Sequence, residues 1–71
     1  MSPIEQLNRL ISLSPAWAKR VSIVQESPQH FDYPNGFSVS GDGPPGPYSY
    51  GGQTIEDALG NAVAAVEGYG R

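Results

Sequence analysis

The stretch TIEDALGNAVAAVEG, residues 54–68, decides the fold of this chain. Thr54 is suited to cap a helix N-terminus, and Asp57 follows in a variant of the capping-box spacing. The apolar residues after Thr54 recur at the spacing of one helix face: Ile55, Leu59, Ala62, Val63 and Val66. Gly68 is predicted to stop the helix. The stretch therefore predicts a helix over residues 55–67 that packs one face on an apolar surface.

Three short strand candidates precede this helix and supply that surface. Residues 21–26 are rich in β-branched side chains, and residues 36–40 alternate apolar and serine side chains. The dipeptide Asn35-Gly36 is a strong turn signal before the second strand. Residues 48–50 form the third candidate. The intervening GDGPPGP, residues 41–47, predicts an irregular loop because glycine and proline interrupt regular structure.

The N-terminal segment, residues 1–18, predicts a further helix. Ser2 and Glu5 match a capping box, and Pro3 takes the first helical position. The helix must end near Ser14, because Pro15 disfavours helical geometry in the residue before it. Two interpretations stay open: a helix packed on the sheet, or a mobile arm that orders on a partner, since short isolated helices are marginal.

These elements predict an α+β fold of order α-β-β-β-α. It is a three-stranded antiparallel sheet with the C-terminal helix packed on one face and an extra N-terminal helix. With 71 residues, the chain has room for a single small domain over residues 1–71, with a β-β-β-α core over residues 21–68. Such a domain has a thin stability margin, and without cysteine it has no disulfide to support it. A partner protein or a homodimer would compensate.

The sequence also bears on the compartment. No apolar run approaches the roughly 20 residues of a membrane span, and the N-terminus does not match a signal peptide. The absence of cysteine fits a reducing compartment. We therefore expect a cytoplasmic protein with no membrane partner.

Charge is distributed unevenly along the chain, whose net charge is −3. The basic residues Arg9, Lys19 and Arg20 lie before residue 21, and residues 21–70 contain no lysine or arginine. Because lysine and arginine supply most of the affinity for phosphates, nucleic acid is an improbable partner for this acidic body. A basic protein surface is the partner that the charge favours.

No arrangement of residues predicts catalysis, a cofactor or a metal site. His30 is the single histidine, and it lies in a polar loop. Asp42 sits in a glycine-rich string without the Lys-Ser/Thr ending of a phosphate loop. Glu56 and Asp57 are adjacent on a helix, so they complement its dipole and do not face each other as a catalytic pair would. We therefore expect a protein that is not an enzyme.

From residue 36 to residue 66 the chain resembles the HicB-like antitoxin family. That family's pattern runs from an aromatic-containing strand through a Pro-Gly turn and a short strand to a helix of the type T-x-E-E-A-L-x-N-A. The matching residues here are Gly36-Phe37, Pro45-Gly46, Gly52 and TIEDALGNA over residues 54–62. The resemblance spans about residues 21–66, with the first strand included. It implies a β-β-β-α unit, a partial RNase-H-like fold that usually acts as a protein-binding scaffold.

The chain departs from this family's pattern in ways that affect function. One extra residue separates Pro45-Gly46 from Thr54, and Pro47-Tyr48 replaces the small residue or cysteine common after the turn. The family's DNA-binding C-terminal extension is lacking, so DNA autoregulation is not expected. The order α-β-β-β-α is also that of a double-stranded-RNA-binding domain, which contacts phosphates across two minor grooves. That function would need basic residues where Glu56 and Asp57 stand.

The function these features favour is a small non-enzymatic regulator that binds another protein and inhibits or redirects it. Phage-encoded inhibitors of host machinery such as RNA polymerase are an analogy for chains of this kind. The alternatives are an antitoxin-like module that occludes a toxin, and a double-stranded nucleic-acid-binding domain. The predicted partner-binding residues combine the acidic body with apolar, aromatic and basic anchors: Leu7, Arg9, Leu10, Trp17, Glu26, Asp32, Asp42, Tyr48 and Tyr50.

Two of these predictions carry a structural alternative. Tyr48 and Tyr50 share one face of the third strand, and an exposed tyrosine pair is a common binding hot spot. We expect at least one of the two to be simply a core residue. Trp17 is the strongest single candidate for a hot spot, and its alternative role is to cap the core between the first helix and the first strand.

Overall fold

A computed structural model describes residues 2–69, and its elements follow the order α-β-β-β-α. The elements are α1 (Pro3–Leu13), β1 (Val21–Gln25), β2 (Phe37–Gly43), β3 (Gly46–Gly52) and α2 (Ile55–Gly68). The three strands form one antiparallel sheet of order β1-β2-β3. The predicted α+β architecture is confirmed.

Both helices begin at the caps that the sequence predicts. The Ser2 hydroxyl accepts a hydrogen bond from the Glu5 backbone N–H at 3.2 Å, and the Thr54 hydroxyl accepts one from Asp57 N–H at 3.1 Å. α1 ends at Leu13, and its C-cap Ser14 has the extended backbone that a following proline favours. α2 ends at Gly68, as predicted, although Gly68 has no positive φ and the C-cap is Tyr69 in a right-handed helical conformation.

The core lies between one face of the sheet and α2. The buried apolar side chains of α2 pack against Val39 and Tyr48 of the sheet. These α2 residues are Ala58, Leu59, Ala62, Val63 and Val66. Leu10 of α1 joins the same cluster with a side chain that is 1% exposed. Because Leu10 lies in the core and Leu7 and Leu13 pack against it, α1 is packed into the fold, mainly against α2, and does not lie apart from it as an arm.

The prediction of an irregular loop over residues 41–47 was wrong. β2 continues through Gly43, β3 begins at Gly46, and only Pro44 and Pro45 connect them. Proline fixes φ near −65°, so neither residue can adopt the positive φ of the usual hairpin turns. Gly46 supplies the positive φ immediately afterwards, at 130°. The glycine and proline residues that suggested a loop therefore build a tight hairpin.

Candidate protein-binding face

The two faces of the sheet differ in what covers them. Alternation along the strands places the residues adjacent to Val39 in sequence on the face opposite the core. We call this opposite side the open face, and its residues are Ser22, Val24, Ser38, Ser40, Asp42, Pro47, Ser49 and Gly51. The open face carries neither helix. It is a broad, shallow surface of small and polar side chains.

One end of the open face is covered by a cluster of side chains from the loop between β1 and β2. The Ser38 hydroxyl donates to the Glu26 carboxylate at 2.5 Å. The Tyr33 ring lies across Gly51, where a Cβ would approach the ring to 3.0 Å. His30 stacks on Tyr33 with ring centroids 6.1 Å apart, and its Nε2 lies 3.9 Å from Glu26. These contacts fix the loop on the sheet.

Hydrogen bonds within this loop hold its backbone in shape. The Ser27 carbonyl accepts from the N–H groups of both His30 and Asn35, and Glu26 N–H donates to Gly36 at 2.8 Å. Asn35 takes the left-handed conformation, with φ of 58°, which asparagine tolerates better than most residues. The Gln53 amide also donates to the Pro34 carbonyl at 2.7 Å. The loop is therefore braced from within and from the end of β3.

The hydrogen bonds of this cluster hold the loop against the sheet. His30 Nδ1 accepts the Tyr33 backbone N–H at 2.9 Å, so in this arrangement its proton is on Nε2, which faces Glu26. Ser38 donates its own proton to Glu26 and has no hydrogen bond with His30. A nucleophilic serine needs a base positioned to take its proton. Within residues 2–69 the imidazole accepts no hydrogen bond from the serine, whose proton is directed at Glu26.

The predicted partner-binding residues that reach solvent are Trp17, Arg9 and three acidic side chains. Trp17 is 79% exposed in the turn between α1 and β1, so it does not cap the core. Asp32 is exposed in the loop, and Asp42 and Glu26 are half-buried on the side of the open face. This side of the molecule therefore carries negative charge, and Trp17 is exposed in the turn before β1.

Arg9 is exposed but already forms an ion pair within the chain. Its Nε donates to the Glu67 carboxylate at 2.5 Å, which links α1 to α2. Half of the Arg9 side chain remains exposed, and pairs of this kind contribute about 0–1 kcal/mol to stability. Its predicted role as a partner contact competes with this internal ion pair.

Four predicted contacts belong to the core face instead. Leu10 and Tyr48 are buried, at 1% and 8% exposed, so the prediction that they form a partner surface was wrong. Leu7 and Tyr50 are half-buried and pack against the same core. The Tyr48 and Tyr50 rings contact each other with centroids 5.9 Å apart. Tyr48 and Tyr50 face α2 because the strand register places them on the same face of the sheet as Val39.

Burial leaves Tyr48 with an unusual hydroxyl. Its Oη is buried without a hydrogen-bond partner among the described residues. Burial raises the pKa of Tyr48 above its ordinary value, and the Asp42 carboxylate on the other side of the strand pair adds to the shift. Both effects keep the phenol neutral, so Tyr48 serves packing and carries no charge at physiological pH.

Sequence reasoning missed the contribution of Ser38, Tyr33 and His30 to this side of the molecule. The alternation of Ser38 and Ser40 with apolar residues was the available signal, since it marks the solvent side of a strand. The stacking of Tyr33 on Gly51 joins residues 18 positions apart through the sheet register. Nothing in the local sequence indicates it.

Three other features of the described part of the chain bear on function classes. Neither helix within residues 2–69 has the length and apolar character needed to cross a membrane. The same residues contain no group of three metal-ligating side chains, and their surface has no pocket. The exposed first turn of α2 presents Glu56 and Asp57, which would repel the phosphates that a double-stranded-RNA-binding domain contacts.

Comparisons with known proteins identify no relative. No family model, no curated protein and no solved structure matches this chain.

Proposed function

We propose that this chain is a non-enzymatic binding protein whose open face recognises a basic surface on another protein. The observation that carries the proposal is the unequal covering of the sheet. One face is packed under α2, whereas the open face carries neither helix and is covered only at one end by the β1–β2 loop; its only charged residue is Asp42. A broad surface of small residues suits contact with a macromolecule, because it lets a partner's side chains approach the sheet closely.

Electrostatics favours a basic partner. Glu26 and Asp32 lie on the loop beside the open face, and residues 21–70 contain no lysine or arginine to offset them. Complementary charge accelerates encounter and selects between partners more than it adds affinity. The affinity must then come from an anchor. Trp17, which is 79% exposed, is the residue best suited to this role because tryptophan dominates binding hot spots.

The narrower form of the proposal is that binding inhibits or redirects the partner. A chain of 71 residues with no pocket in its described part acts most simply by covering a functional surface of a larger protein. An antitoxin-like role, in which the covered protein is a small basic toxin, is the second candidate. The observation that favours it is the β-β-β-α arrangement of residues 21–68, which is the arrangement that the resemblance to HicB-like antitoxins implies.

A matched pair of charge reversals tests the proposal. Asp42→Lys changes the open face, and Glu56→Lys makes the same change in net charge on an exposed helix end away from it. Each tagged variant is used to capture proteins from a lysate of the source organism, and the amount of each captured protein is compared with wild type by mass spectrometry. We expect the proteins enriched by wild type to be lost with Asp42→Lys and retained with Glu56→Lys.

Two results would overturn the proposal. Equal capture by Asp42→Lys and wild type would show that the open face is not the binding surface. Loss of capture with Glu56→Lys but not with Asp42→Lys would assign binding to the other side of the molecule. Circular dichroism of both variants confirms that each is folded before capture is compared.

A further inference from the structure

The two edges of the sheet are not equally protected. At the β3 edge, Pro47 has no N–H to offer, and the Gly51 carbonyl accepts a hydrogen bond from the Asn61 side chain at 2.9 Å. Proline and a covering side chain are devices by which proteins prevent an edge strand from pairing with another chain. β1, with the sequence VSIVQ, contains neither proline nor charge.

The register shows which backbone groups β1 leaves unpaired. The Glu26 backbone N–H donates to the Gly36 carbonyl directly across the ladder. Alternate residues of a strand point their N–H and C=O groups to the same side, so those of Ser22 and Val24 also point toward β2. Val21, Ile23 and Gln25 then point theirs outward. Within residues 2–69, no hydrogen bond reaches these outward groups. β1 is an edge ready to accept another strand.

We propose that this edge pairs with the β1 edge of a second copy of the chain, antiparallel and centred on Ile23, to form a continuous six-stranded sheet. In this pairing Ile23 lies opposite Ile23 of the second copy, and Val21 lies opposite Gln25. All three residues have their N–H and C=O groups directed outward, so each opposed pair can exchange two hydrogen bonds. The two-fold axis makes the interface self-complementary.

Charge complementarity selects a second copy in this orientation. Arg20 directly precedes β1 and Glu26 directly follows it. Antiparallel pairing centred on Ile23 places Arg20 of each copy opposite Glu26 of the other, on the side of the open face. Opposite charges facing each other across strands are stabilising, whereas like charges are destabilising. A parallel arrangement would place like charges together at both ends.

Sedimentation velocity of the purified chain tests this proposal and needs no other partner. We expect a mass that rises with concentration from 7.6 kDa toward twice that value. We also expect weaker association at high salt, because salt screens the attraction between Arg20 and Glu26. A monomer at every concentration accessible to the experiment would overturn the proposal.

Gln25→Pro is the sharpest single variant. Gln25 is exposed and its N–H points outward, so proline there removes a donor from the edge without removing a hydrogen bond from the β1–β2 ladder. We expect the variant to stay monomeric with an unchanged circular dichroism spectrum. Self-association equal to that of wild type would rule out pairing through β1.

A charge swap tests the register. Arg20→Glu and Glu26→Arg each place like charges opposite each other in a homodimer, so each variant alone should associate at least several-fold more weakly than wild type. An equimolar mixture should restore association, because every opposed pair then has opposite signs. Failure of the mixture to associate, with both variants folded, would contradict the register. Arg20 is exposed and its side chain makes no hydrogen bond or ion pair within residues 2–69, so its variant remains informative if Glu26→Arg proves unstable.

Discussion

The backbone of Gly52, at the end of β3, lies directly against the backbone of Ala58 in the first turn of α2. A Cβ placed on Gly52 would overlap the Ala58 nitrogen, and it would also stand 2.8 Å from the Asp57 carbonyl carbon. Only glycine allows this approach without displacement. The contact sets how closely α2 lies on the sheet, and therefore how well Leu59 fills the core.

Gly52→Ala should destabilise the protein substantially. The added methyl group meets backbone rather than a flexible side chain, so α2 must shift, and overpacking of this kind costs about 1–3 kcal/mol or more. Thermal unfolding followed by circular dichroism measures the change. Gly68→Ala is the matched control, because its Cβ would meet nothing within 4 Å and alanine is favoured in a helix by about 0.5–1 kcal/mol. A Gly52→Ala variant as stable as wild type would contradict the close contact.

The helices were predictable because their signals are local. Ser2 and Thr54 cap the helices from within the first turn, and Pro15 ends the first helix through its neighbour. The apolar spacing of α2 also identified most of the buried face. Ala58 was missed although it lies on the same helix face, three residues after Ile55, and is fully buried here.

The hairpin was not predictable from composition. Gly41 and Gly43 weaken a strand as isolated residues, and this suggested a loop. In the fold Gly41 makes room for Tyr48, because a Cβ on Gly41 would stand 2.8 Å from the Tyr48 hydroxyl oxygen. The requirement for glycine comes from a cross-strand contact, which depends on a register that the local sequence does not specify.

The exposure of the predicted partner-binding residues could be anticipated only in part. Trp17 and Asp32 are exposed, whereas Glu26 and Asp42 are half-buried, and the sequence alone left open whether Trp17 caps the core. The burial of Leu10 and Tyr48 depends on how α1 and β3 pack against α2. The Arg9–Glu67 ion pair joins residues at opposite ends of the chain, so it follows from tertiary structure alone.

Tyr48→Phe should leave the protein equally stable or more stable at neutral pH. The substitution keeps the ring and removes a buried hydroxyl that has no partner among the described residues. A buried unsatisfied polar group costs about 1–3 kcal/mol, so its removal is not destabilising. Urea denaturation of the two proteins measures the difference. A loss of more than about 1 kcal/mol in the variant would show that the hydroxyl has a stabilising partner.

The same variant should change the response to alkaline pH. Because the fold raises the pKa of Tyr48, the unfolded chain ionises this residue first as pH rises above about 10. The contribution of Tyr48 to stability is therefore complete below pH about 10 and lost as pH rises through the folded value. Stability of wild type should fall more steeply in this range than that of Tyr48→Phe. Parallel pH curves for the two proteins would exclude the effect.

Trp17→Ala should separate binding from folding. Trp17 is 79% exposed, and surface substitutions away from structural features change stability by about 0.5 kcal/mol or less. A hot-spot tryptophan contributes about 2 kcal/mol or more, so partner affinity should fall on the order of 30-fold. Leu10→Ala is the opposite control, because it should lower stability. Strong destabilisation by Trp17→Ala, or unchanged partner affinity, would contradict the anchor role.

Duplex nucleic acid should not bind tightly near physiological salt. Lys19 is held at the end of α1, where its amine donates to the Ser14 carbonyl at 3.0 Å, and Arg9 is paired with Glu67. Residual binding should come from Arg20 and these two residues, and it should weaken steeply as salt rises. Fluorescence anisotropy with labelled duplex DNA and RNA over a salt series measures this. Tight binding that is insensitive to salt would favour the nucleic-acid-binding alternative.

Site-specific photo-crosslinking tests the central claim most directly, because it reports which face touches the partner. A photoreactive amino acid is placed at Ser49, exposed on the open face, or at Ala64, exposed on α2. Each variant is irradiated in lysate of the native host, and crosslinks to other proteins are identified by mass spectrometry. The account predicts a specific crosslinked protein from Ser49 and none from Ala64. Crosslinks from Ala64 alone, or none from either position, would contradict recognition through the open face.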